Sequence, residues 1–575
     1  MNHLAKRAAA RLLPPSVRAR REEERRVAEA EAAERKRVEK REARRRKLLA
    51  ERPDVRTTEV AGRTWFGRTV TSFSAAGAAD RNLDLVVDAL KHAGIEYFLV
   101  PGRSPLRHVV GVRLECRKPF LDAMRELYGA TAVYAALPGR DLLPDAALYA
   151  DGALPAVVKR ADVIRFGELL LGPEGQLLGS LEFGCDVEFW RDGAEVVDTP
   201  RFGELRTQAP ADVVRSGLVA PRLNAVSDVL PAGSTAAIRT VAERQHPTYE
   251  DFTRPRIDEV DFPIDVVYTW VDGADPELAA RRDIYRTSGI SPIHARETGD
   301  SRYTDHDELR YSLRSLEMYA GFVRNIYIVT DSQVPSWLDQ GAEGLQVIHH
   351  KEIFADPSVL PVFNSHAIES QLHRIPGLSE RYLYLNDDFF MGRPVTPGHF
   401  FHGNGVAKLP FSPMQLGLGR PHPDDPAPNS AGKNVRRALW DAHGRFVVNK
   451  FMHTPHPQIR MVMREIESTF TEDVERTSAS RFRSTADVAV TTSFHHHHAY
   501  LTGRAVPGKY KLRYIDMAAE DAFDSLATLA EERRFDFFCL NDVHTPADRQ
   551  EEVGRRMSEF LQGYFPFPSR FEISS

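Results

Sequence analysis

The sequence predicts an α/β protein with a doubly wound, mostly parallel sheet, preceded by a smaller N-terminal α/β module and a basic helical tail. Three apolar runs support this fold class: IDVVYT from Ile264, NIYIVT from Asn325 and YLYL from Tyr382. Continuous apolar runs of this length are typical of strands buried on both faces. A helical pattern separates the first two runs, and strand–helix–strand order indicates a parallel sheet.

The N-terminal tail, residues 1–55, is the most basic part of the chain. Residues 1–52 contain about 18 Lys and Arg against about 9 Glu, although the whole chain has a formal net charge of −5. The composition favours helix but lacks the apolar seam of a coiled coil. We expect a solvated helical or disordered tail. The alternative is attraction to anionic lipid; nucleic acid is not expected, because the tail has no aromatic stacking residues.

Composition excludes several classes of protein. The chain has 575 residues, of which 42% are hydrophobic and 27% charged, which is typical of a soluble protein with roughly two to four domains. It contains no apolar run near the roughly 18 residues that a membrane span needs, and its N-terminus lacks a signal-peptide core. Three widely spaced cysteines favour neither a disulfide scaffold nor a zinc site. We expect a cytoplasmic protein, with peripheral contact at the inner face of the membrane as the alternative that the tail allows.

Three further segments follow the tail. Helix and strand patterns predict a small α/β module over residues 56–200, in which Asp186 and Glu188 alternate with apolar residues. Such alternation is typical of a half-exposed strand, so we expect both acids to face solvent. The Pro- and Arg-rich residues 201–260 are interpreted as a linker, and residues 261–575 as the catalytic domain.

The main candidate site is the end of the third apolar run, where Asn386, Asp387 and Asp388 interrupt it. Adjacent carboxylates flanked by apolar residues are costly to bury without a partner. Mg²⁺ or Mn²⁺ bound to a phosphate would be such a partner; the alternative is a simple turn. The other two runs also end in acids, at Asp272 and Asp331. We therefore expect these carboxylates to converge at the carboxyl edge of the sheet, where open α/β sheets bind ligands.

Other polar segments are open to two interpretations. Asp305 and Glu308 have capping-box spacing before a helix predicted to stop at Gly321, and together with Arg310 they are interpreted from the residues alone as an N-cap and a salt bridge. Residues 421–433 are rich in Pro, Asp and Gly and predict a mobile loop. Residues 495–498 are four consecutive histidines, which point in different directions and so argue against a four-histidine metal cluster.

Several blocks of sequence resemble the Stealth family of sugar-1-phosphate transferases. These blocks are DVVYTWVDG at 265–273, DELRYSLRSLEMYAGFVRNIYIVTDSQVPSWL at 307–338, AIESQLHRIPGLSERYLYLNDDFFMG at 367–392, and FCLNDV with FPFPSRFE near the C-terminus. The family includes bacterial capsule and exopolysaccharide phosphotransferases and the catalytic subunit of the enzyme that places N-acetylglucosamine-1-phosphate on lysosomal glycoproteins. The resemblance covers about residues 262–574, without the large insertions of the animal enzyme.

The resemblance implies transfer of a sugar-1-phosphate from a nucleotide-sugar, expected to be a UDP-sugar, to a glycan hydroxyl. It implies metal ligation by Asp387 and Asp388, with Asp272 as a further ligand or nucleotide contact. It also implies catalytic roles for His456, Arg483 and Asp388, with Arg483 binding phosphate. The candidate substrate-binding residues are Trp270, Asp272, Arg310, Asn364 and Glu369. Two alternatives stay open: a metal-dependent glycosyltransferase that transfers the sugar alone, and a non-catalytic polysaccharide-binding protein.

Overall fold

The computed structural model describes residues 15–139, 146–288, 306–542, 545–546 and 548–573. It divides the chain into two compact units: Met1–Thr71 with Gly77–Thr253, and Ser72–Ala76 with Arg254–Ser575. Among the described residues, no helix combines the length and the apolar content that crossing a membrane requires.

The first unit is a mixed α/β structure. Its strands are β1 (Val55–Val60), β2 (Arg63–Thr69), β3 (Phe98–Val100), β4 (Val109–Arg113), β5 (Val133–Ala136), β6 (Ala146–Leu148), β7 (Val163–Glu168), β8 (Leu170–Leu171), β9 (Leu177–Gly179), β10 (Cys185–Asp192), β11 (Leu218–Val219), β12 (Val229–Leu230), β13 (Ala236–Val241) and β14 (Arg244–Tyr249). Its helices are α1 (Pro15–Glu51), α2 (Ala75–His92), α3 (Arg117–Tyr128), α4 (Ala156–Lys159), α5 (Phe202–Leu205), α6 (Ala211–Ser216) and α7 (Glu250–Thr253). The largest sheet has the order β12-β11-β10-β7-β5-β6, with β4 pairing to β10 and β3 to β4.

Helix α1 contains most of the basic tail and is 37 residues long. Its C-terminal part is attached to the body of the first unit, where Arg45 donates two hydrogen bonds of 2.8 Å to the carboxylate of Asp151. Most of its other described side chains are exposed and form ion pairs within the helix, such as Arg20 with Glu24 at 3.0 Å.

Asp186 and Glu188 are buried, so the expectation that they face solvent is wrong. Arg165 Nε lies 2.7 Å from Asp186, and Arg222 lies 2.7 Å from both acids through separate nitrogens. These arginines are distant in sequence, and their charges offset the cost of burying two carboxylates on one strand. Alternation of acids and apolar residues gives no sign of such partners.

Residues 201–260, interpreted above as a linker, contain α5 to α7 and β11 to β14. Strands β13 and β14 form an antiparallel hairpin from Ala236 to Tyr249. His246 in this hairpin is 3.1 Å from the hydroxyl of Tyr97. Residues up to Thr253 therefore belong to the first unit, because their short strands extend its sheet and cover its core.

The second unit has a doubly wound sheet at its centre. Its strands are β15 (Ile264–Thr269), β16 (Val323–Thr330), β17 (Leu345–His349), β18 (Arg381–Asn386), β19 (Phe389–Met391), β20 (Ala407–Leu409), β21 (Phe411–Gln415), β22 (Asn449–Phe451), β23 (His456–Ile459), β24 (Ala505–Pro507), β25 (Leu512–Asp516) and β26 (Phe537–Asn541). Its helices are α8 (Pro276–Ser288), α9 (Glu308–Tyr319), α10 (His350–Ile353), α11 (Ser365–Glu369), α12 (Pro397–Phe400), α13 (Ala427–His443), α14 (Arg460–Thr469), α15 (Thr471–Ser478), α16 (His495–Leu501), α17 (Ala522–Glu532) and α18 (Gln550–Tyr564).

The order of the central sheet is β17-β16-β15-β18-β23. The first four strands are parallel, and β23 is antiparallel to β18. Neighbouring residues of β15 point to opposite faces: Val267 packs in a core cluster with Ile353 and Ala367, whereas the hydroxyl of Tyr268 lies 2.7 Å from Ser312 of α9. Helices therefore cover both faces, and the predicted fold class is confirmed.

Two local predictions in this unit need revision. Asp305 lies outside the described residues; helix α9 begins at Glu308, whose carboxylate accepts a hydrogen bond of 2.6 Å from the backbone of His306. Residues 421–433 are not one loop, because α13 already begins at Ala427. Lys433 is buried and lies 2.8 Å from Asp425, and this ion pair joins the preceding turn to the helix.

Candidate active site

The candidate site lies at the carboxyl edge of the central sheet, where strand order reverses. The chain runs from β15 outward to β16 and β17, then returns to the other side of β15 as β18. A reversal of this kind leaves a crevice beyond the carboxyl ends of the two adjacent strands. Asn386 is the last residue of β18, and Asp387 and Asp388 come directly after it; all three line this crevice. The antiparallel pair β19–β26, with Phe389 opposite Cys539, brings Asn541 and Asp542 to the same place.

A cavity of about 680 Å³ occupies the crevice. The lining includes residues predicted from the sequence, which are Trp270, Asp331, Glu369, Asn386, Asp387, Asp388 and Arg483. It also contains Ser365, Phe363, Phe482, Lys450, His453, Asn541 and Asp542. Acids and bases therefore line one space that is large enough for a nucleotide-sugar.

Asp388 has an environment suited to a cation. Its Oδ2 lies 3.1 Å from the Cys539 thiol and 3.7 Å from His453 Nε2. Its Oδ1 is buried, and no described group hydrogen-bonds to it; the same holds for Oδ1 of Asp542. Two buried carboxylate oxygens without partners are costly unless a cation or a donor binds them.

Ligand atoms of Asp388, His453 and Cys539 all lie within 4.8 Å of one another. Burial and the charge of Asp388 raise the pKa of the Cys539 thiol well above its usual value. In this structure the protonated thiol donates a hydrogen bond to Asp388. The carboxylate oxygens at this edge are the hard ligands that Mg²⁺ and Mn²⁺ prefer.

Another part of the cavity wall is basic and aromatic. Arg483 Nη2 donates a hydrogen bond of 2.7 Å to Ser365 Oγ, which holds the guanidinium at the cavity wall. Lys450 also lines the cavity. Phe363 and Phe482 stack there, with ring centroids 5.4 Å apart and an interplanar angle of 24°. This wall can bind a diphosphate and a flat ring.

The two histidines of the segment HTPH have different environments. His456 is buried, lies outside the described cavity lining, and stacks on Tyr384 with its Nδ1 3.0 Å from His496 Nε2. Burial lowers the pKa of His456 to about 3, so the ring is neutral at neutral pH. His453, by contrast, lines the cavity, and its side chain is 37% exposed.

Asn364 and Glu369 support the site from behind. The Asn364 side chain caps α11 by accepting from His366 N and donates to Asp487 at 2.8 Å, and it is fully buried. Glu369 lines the cavity, but its carboxylate accepts hydrogen bonds from Tyr384 and Thr491. Both residues are therefore held by protein partners.

Asp272 and Arg310 lie away from the first cavity. Asp272 lines a second cavity of about 530 Å³ together with Trp270, His306, Asp307 and Trp337. Arg310 is bound to the carboxylate of Glu572, and its guanidinium carbon is 5.9 Å from the Trp337 ring centroid. Arg310 thus has the salt-bridge role that the sequence left open as an alternative.

Sequence reasoning missed His453, Lys450, Asn541 and Asp542 as site residues. For Asn541 and Asp542 a signal existed: the run FFCL is followed by Asn541 and Asp542, just as YLYL is followed by Asn386 and Asp387. Two apolar strands ending in the same polar pair are candidates for one site. For Lys450 the sequence carries no comparable signal.

Four regions of the chain match descriptions of one protein family. Residues 262–289 match Stealth protein CR1, conserved region 1, and residues 302–409 match conserved region 2. Residues 452–500 and 527–575 match conserved regions 3 and 4. The site residues at positions 270–272, 386–388, 453–456, 483 and 541–542 all fall in these regions.

Full-length relatives are similar along most of the chain. The exopolysaccharide phosphotransferase SCO6023 of Streptomyces coelicolor is 41% identical over 503 residues, covering 87% of this chain and 83% of the relative. The exopolysaccharide phosphotransferase CpsY of Mycobacterium tuberculosis is 33% identical over 525 residues, covering 91% and 94%. Among solved structures, the galactosyltransferase LgtC in complex with donor and acceptor sugar analogues is 11% identical with a TM-score of 0.27, over 52% of this chain and 95% of that one.

Proposed function

The chain belongs to the Stealth family, and we propose that it is an exopolysaccharide phosphotransferase that moves a sugar-1-phosphate from a nucleotide-sugar to a glycan hydroxyl. The observation that carries this proposal is the cavity at the sheet edge, whose lining contains Asp387, Asp388 and Asp542 together with Arg483 and Lys450. We assign residues 261–575 as the catalytic part, since the four matched regions span it.

A divalent cation, Mg²⁺ or Mn²⁺, fits the acidic wall. Asp388 and Asp542 each contribute a buried carboxylate oxygen that has no described partner, and Asp387 lines the same wall. When bound, the cation would supply positive charge to the donor diphosphate. Asp272, which lines the other cavity, is not included in this ligand set.

The basic wall would hold the rest of the donor. Arg483 is positioned by Ser365 to neutralise charge on the phosphoryl oxygens as the reaction proceeds. The Phe363–Phe482 pair offers an aromatic surface for the nucleobase, which is compatible with a UDP-sugar.

In the proposed reaction, the acceptor oxygen forms a bond to the phosphorus that carries the sugar. The bond from that phosphorus to the bridging oxygen breaks, and the nucleoside monophosphate leaves with the bridging oxygen. His453, the histidine of HTPH that lines the cavity, takes up the proton of the acceptor hydroxyl as the general base. His456, buried behind Tyr384, has a positioning role.

The test incubates the protein with a panel of nucleotide-sugars, glycan acceptors and Mg²⁺ or Mn²⁺, and identifies the products by mass spectrometry. Phosphotransfer releases a nucleoside monophosphate and gives a phosphodiester in which the sugar retains its anomeric configuration. Release of a nucleoside diphosphate would show glycosyl transfer instead. Asp387→Asn and Asp388→Asn should abolish turnover without changing the melting temperature, and full activity in EDTA would contradict the metal assignment.

A second part of the proposal concerns the tail. Residues 1–52 have an excess of about nine positive charges, and α1 exposes most of its described side chains. Each basic residue near an anionic membrane surface adds about 1 kcal/mol of attraction, so we expect salt-sensitive binding to phosphatidylglycerol vesicles. Deleting residues 1–52 should remove the binding; equal binding by both proteins would refute this part.

A further inference from the structure

The second cavity is a separate chamber on the other side of Trp270. Trp270 is 6% exposed and lines both cavities. A hydrogen bond also joins the two chambers: His306 lines the second, Asp542 lines the first, and His306 Nε2 lies 2.9 Å from Asp542 Oδ2. A ligand in the second chamber would therefore lie next to the reacting end of the first.

Both chambers contain carboxylates, and they differ in their basic residues. In the first, Arg483 and Lys450 accompany the acids and suit an anionic donor. The second contains Asp272 and Asp307 and, among its described lining residues, no Lys or Arg. Arg310, which lies 3.9 Å from Asp307 behind this lining, is bound to Glu572. Carboxylates repel a diphosphate but accept hydrogen bonds from hydroxyl groups. The second chamber therefore suits a neutral molecule rich in hydroxyls.

Trp337 supplies an apolar surface in this chamber and is firmly held. The backbone N–H of Ile573 donates to Trp337 O at 2.9 Å, and the Arg310 guanidinium lies against the ring. Arg310 itself is fixed by Glu572. Sugar rings present C–H faces that pack on aromatic rings and hydroxyl edges that bind carboxylates, and a rigid aromatic ring loses little entropy on binding.

Gly554 of α18 leaves room for the His306 ring in its contact with Asp542. A Cβ at this position would lie 2.9 Å from Cε1 and Nδ1 of the His306 ring, which is too close. Any side chain here would push His306 away from Asp542. The helix is therefore fitted to the histidine that joins the two chambers.

We propose that the second cavity is the acceptor subsite, where a neutral sugar ring of the glycan packs on Trp337 and hydrogen-bonds to Asp272 and Asp307. This inference rests on the proposed function, because it assigns the first cavity to the donor. The terminal acceptor hydroxyl then reaches the first cavity past Trp270 and the His306–Asp542 pair.

The test uses Trp337→Ala, with Trp440→Ala as the matched control because Trp440 is a 53% exposed tryptophan on α13 that lines neither cavity. Trp337→Ala should raise the KM for the glycan acceptor roughly tenfold, the scale of a lost aromatic contact. The KM for the nucleotide-sugar should change little, and Trp440→Ala should match the wild type. Ser558→Phe, at an exposed position of the lining, should fill the chamber and also raise the KM for the glycan acceptor. This second variant keeps the test valid if Trp337→Ala fails to fold.

A binding measurement without the donor tests the acceptor subsite independently of the proposed reaction. Saturation-transfer NMR with maltotriose, mannotriose and galactotriose, without donor, should show contacts in the wild type and in Trp440→Ala that Trp337→Ala and Ser558→Phe lose. That pattern supports the subsite even if phosphotransfer itself is not found. Binding that survives both substitutions, no binding to the wild type, or an equal rise in donor and acceptor KM would overturn the assignment.

Discussion

The thiol of Cys539 lies 3.1 Å from Asp388 Oδ2 and donates its hydrogen to that oxygen. The antiparallel register of β19 and β26 produces this contact, since Phe389 stands opposite Cys539. The thiol fixes the orientation of a carboxylate whose other oxygen has no described partner. Cys539 is therefore a positioning residue for the proposed cation.

The first prediction follows from this contact. Cys539→Ala should weaken activation by Mn²⁺ about 10–100-fold, the usual cost of losing a group that orients a metal ligand. Cys539→Ser keeps a donor and should retain most of the affinity. The measurement is a Mn²⁺ titration of turnover, with Cys116→Ala as control because Cys116 lies in the first unit. Equal affinity for the Ala and Ser variants would contradict the role.

Arg483→Ala should reduce kcat about 10²–10³-fold, the typical loss when one charge-stabilising group is removed from such a site. The KM for the nucleotide-sugar should change less, because the charge on the phosphoryl oxygens grows in the transition state. Steady-state kinetics measure both values. The matched control is Arg513→Ala, since Arg513 is an exposed arginine bound to Ser525. A loss confined to KM would mean that Arg483 only binds substrate.

Substitutions of the two histidines of HTPH should have different effects on kcat and on stability. His453→Gln should lower kcat with little change in melting temperature, because the side chain is partly exposed in the cavity. His456→Ala removes the partner of His496 Nε2, while Nδ1 of that ring keeps its contact with His495, and it also removes the ring from Tyr384, at a cost of about 1–3 kcal/mol in unfolding free energy. Thermal melts and kinetics on both variants check this. Full activity of His453→Gln would return the catalytic role to His456.

Acid stability should depend on Glu572. Its carboxylate accepts hydrogen bonds from Arg314 at 2.7 and 2.8 Å, which together with Arg310 lower its pKa from 4.5 to about 2. A lowered pKa contributes stability above the unfolded value of 4.5, and this contribution is lost as the pH falls toward 2. The loss is about 3 kcal/mol by linkage. Urea unfolding of Glu572→Gln should show a shallower acid dependence than the wild type; parallel curves would contradict the prediction.

The sequence was sufficient for the central sheet because its strands are buried on both faces. Runs such as Tyr382–Leu385 have one physical interpretation, and acids at their ends fall at one edge whenever the strands are parallel. Asp331, Asp387 and Asp388 line the cavity as this predicts. Asp272, two residues after Trp270, lines the second cavity instead.

Residues that depend on distant partners could not be predicted. Asp186 and Glu188 are buried because Arg165 and Arg222 meet them in space, and alternation alone resembles a half-exposed strand. The choice between His453 and His456 depends on where β23 begins. His456 pairs with Tyr384 inside the sheet, whereas His453 lies beyond the strand and next to Asp388.

Trp270 forms a wall common to both chambers, and this limits how the enzyme can be redesigned. A substitution there would change the recognition of donor and acceptor together, so neither specificity could be selected on its own at that position. Trp337 faces only the second chamber and Phe482 only the first. Variant libraries at Phe482 and Trp337 would allow donor specificity and acceptor specificity to be selected independently.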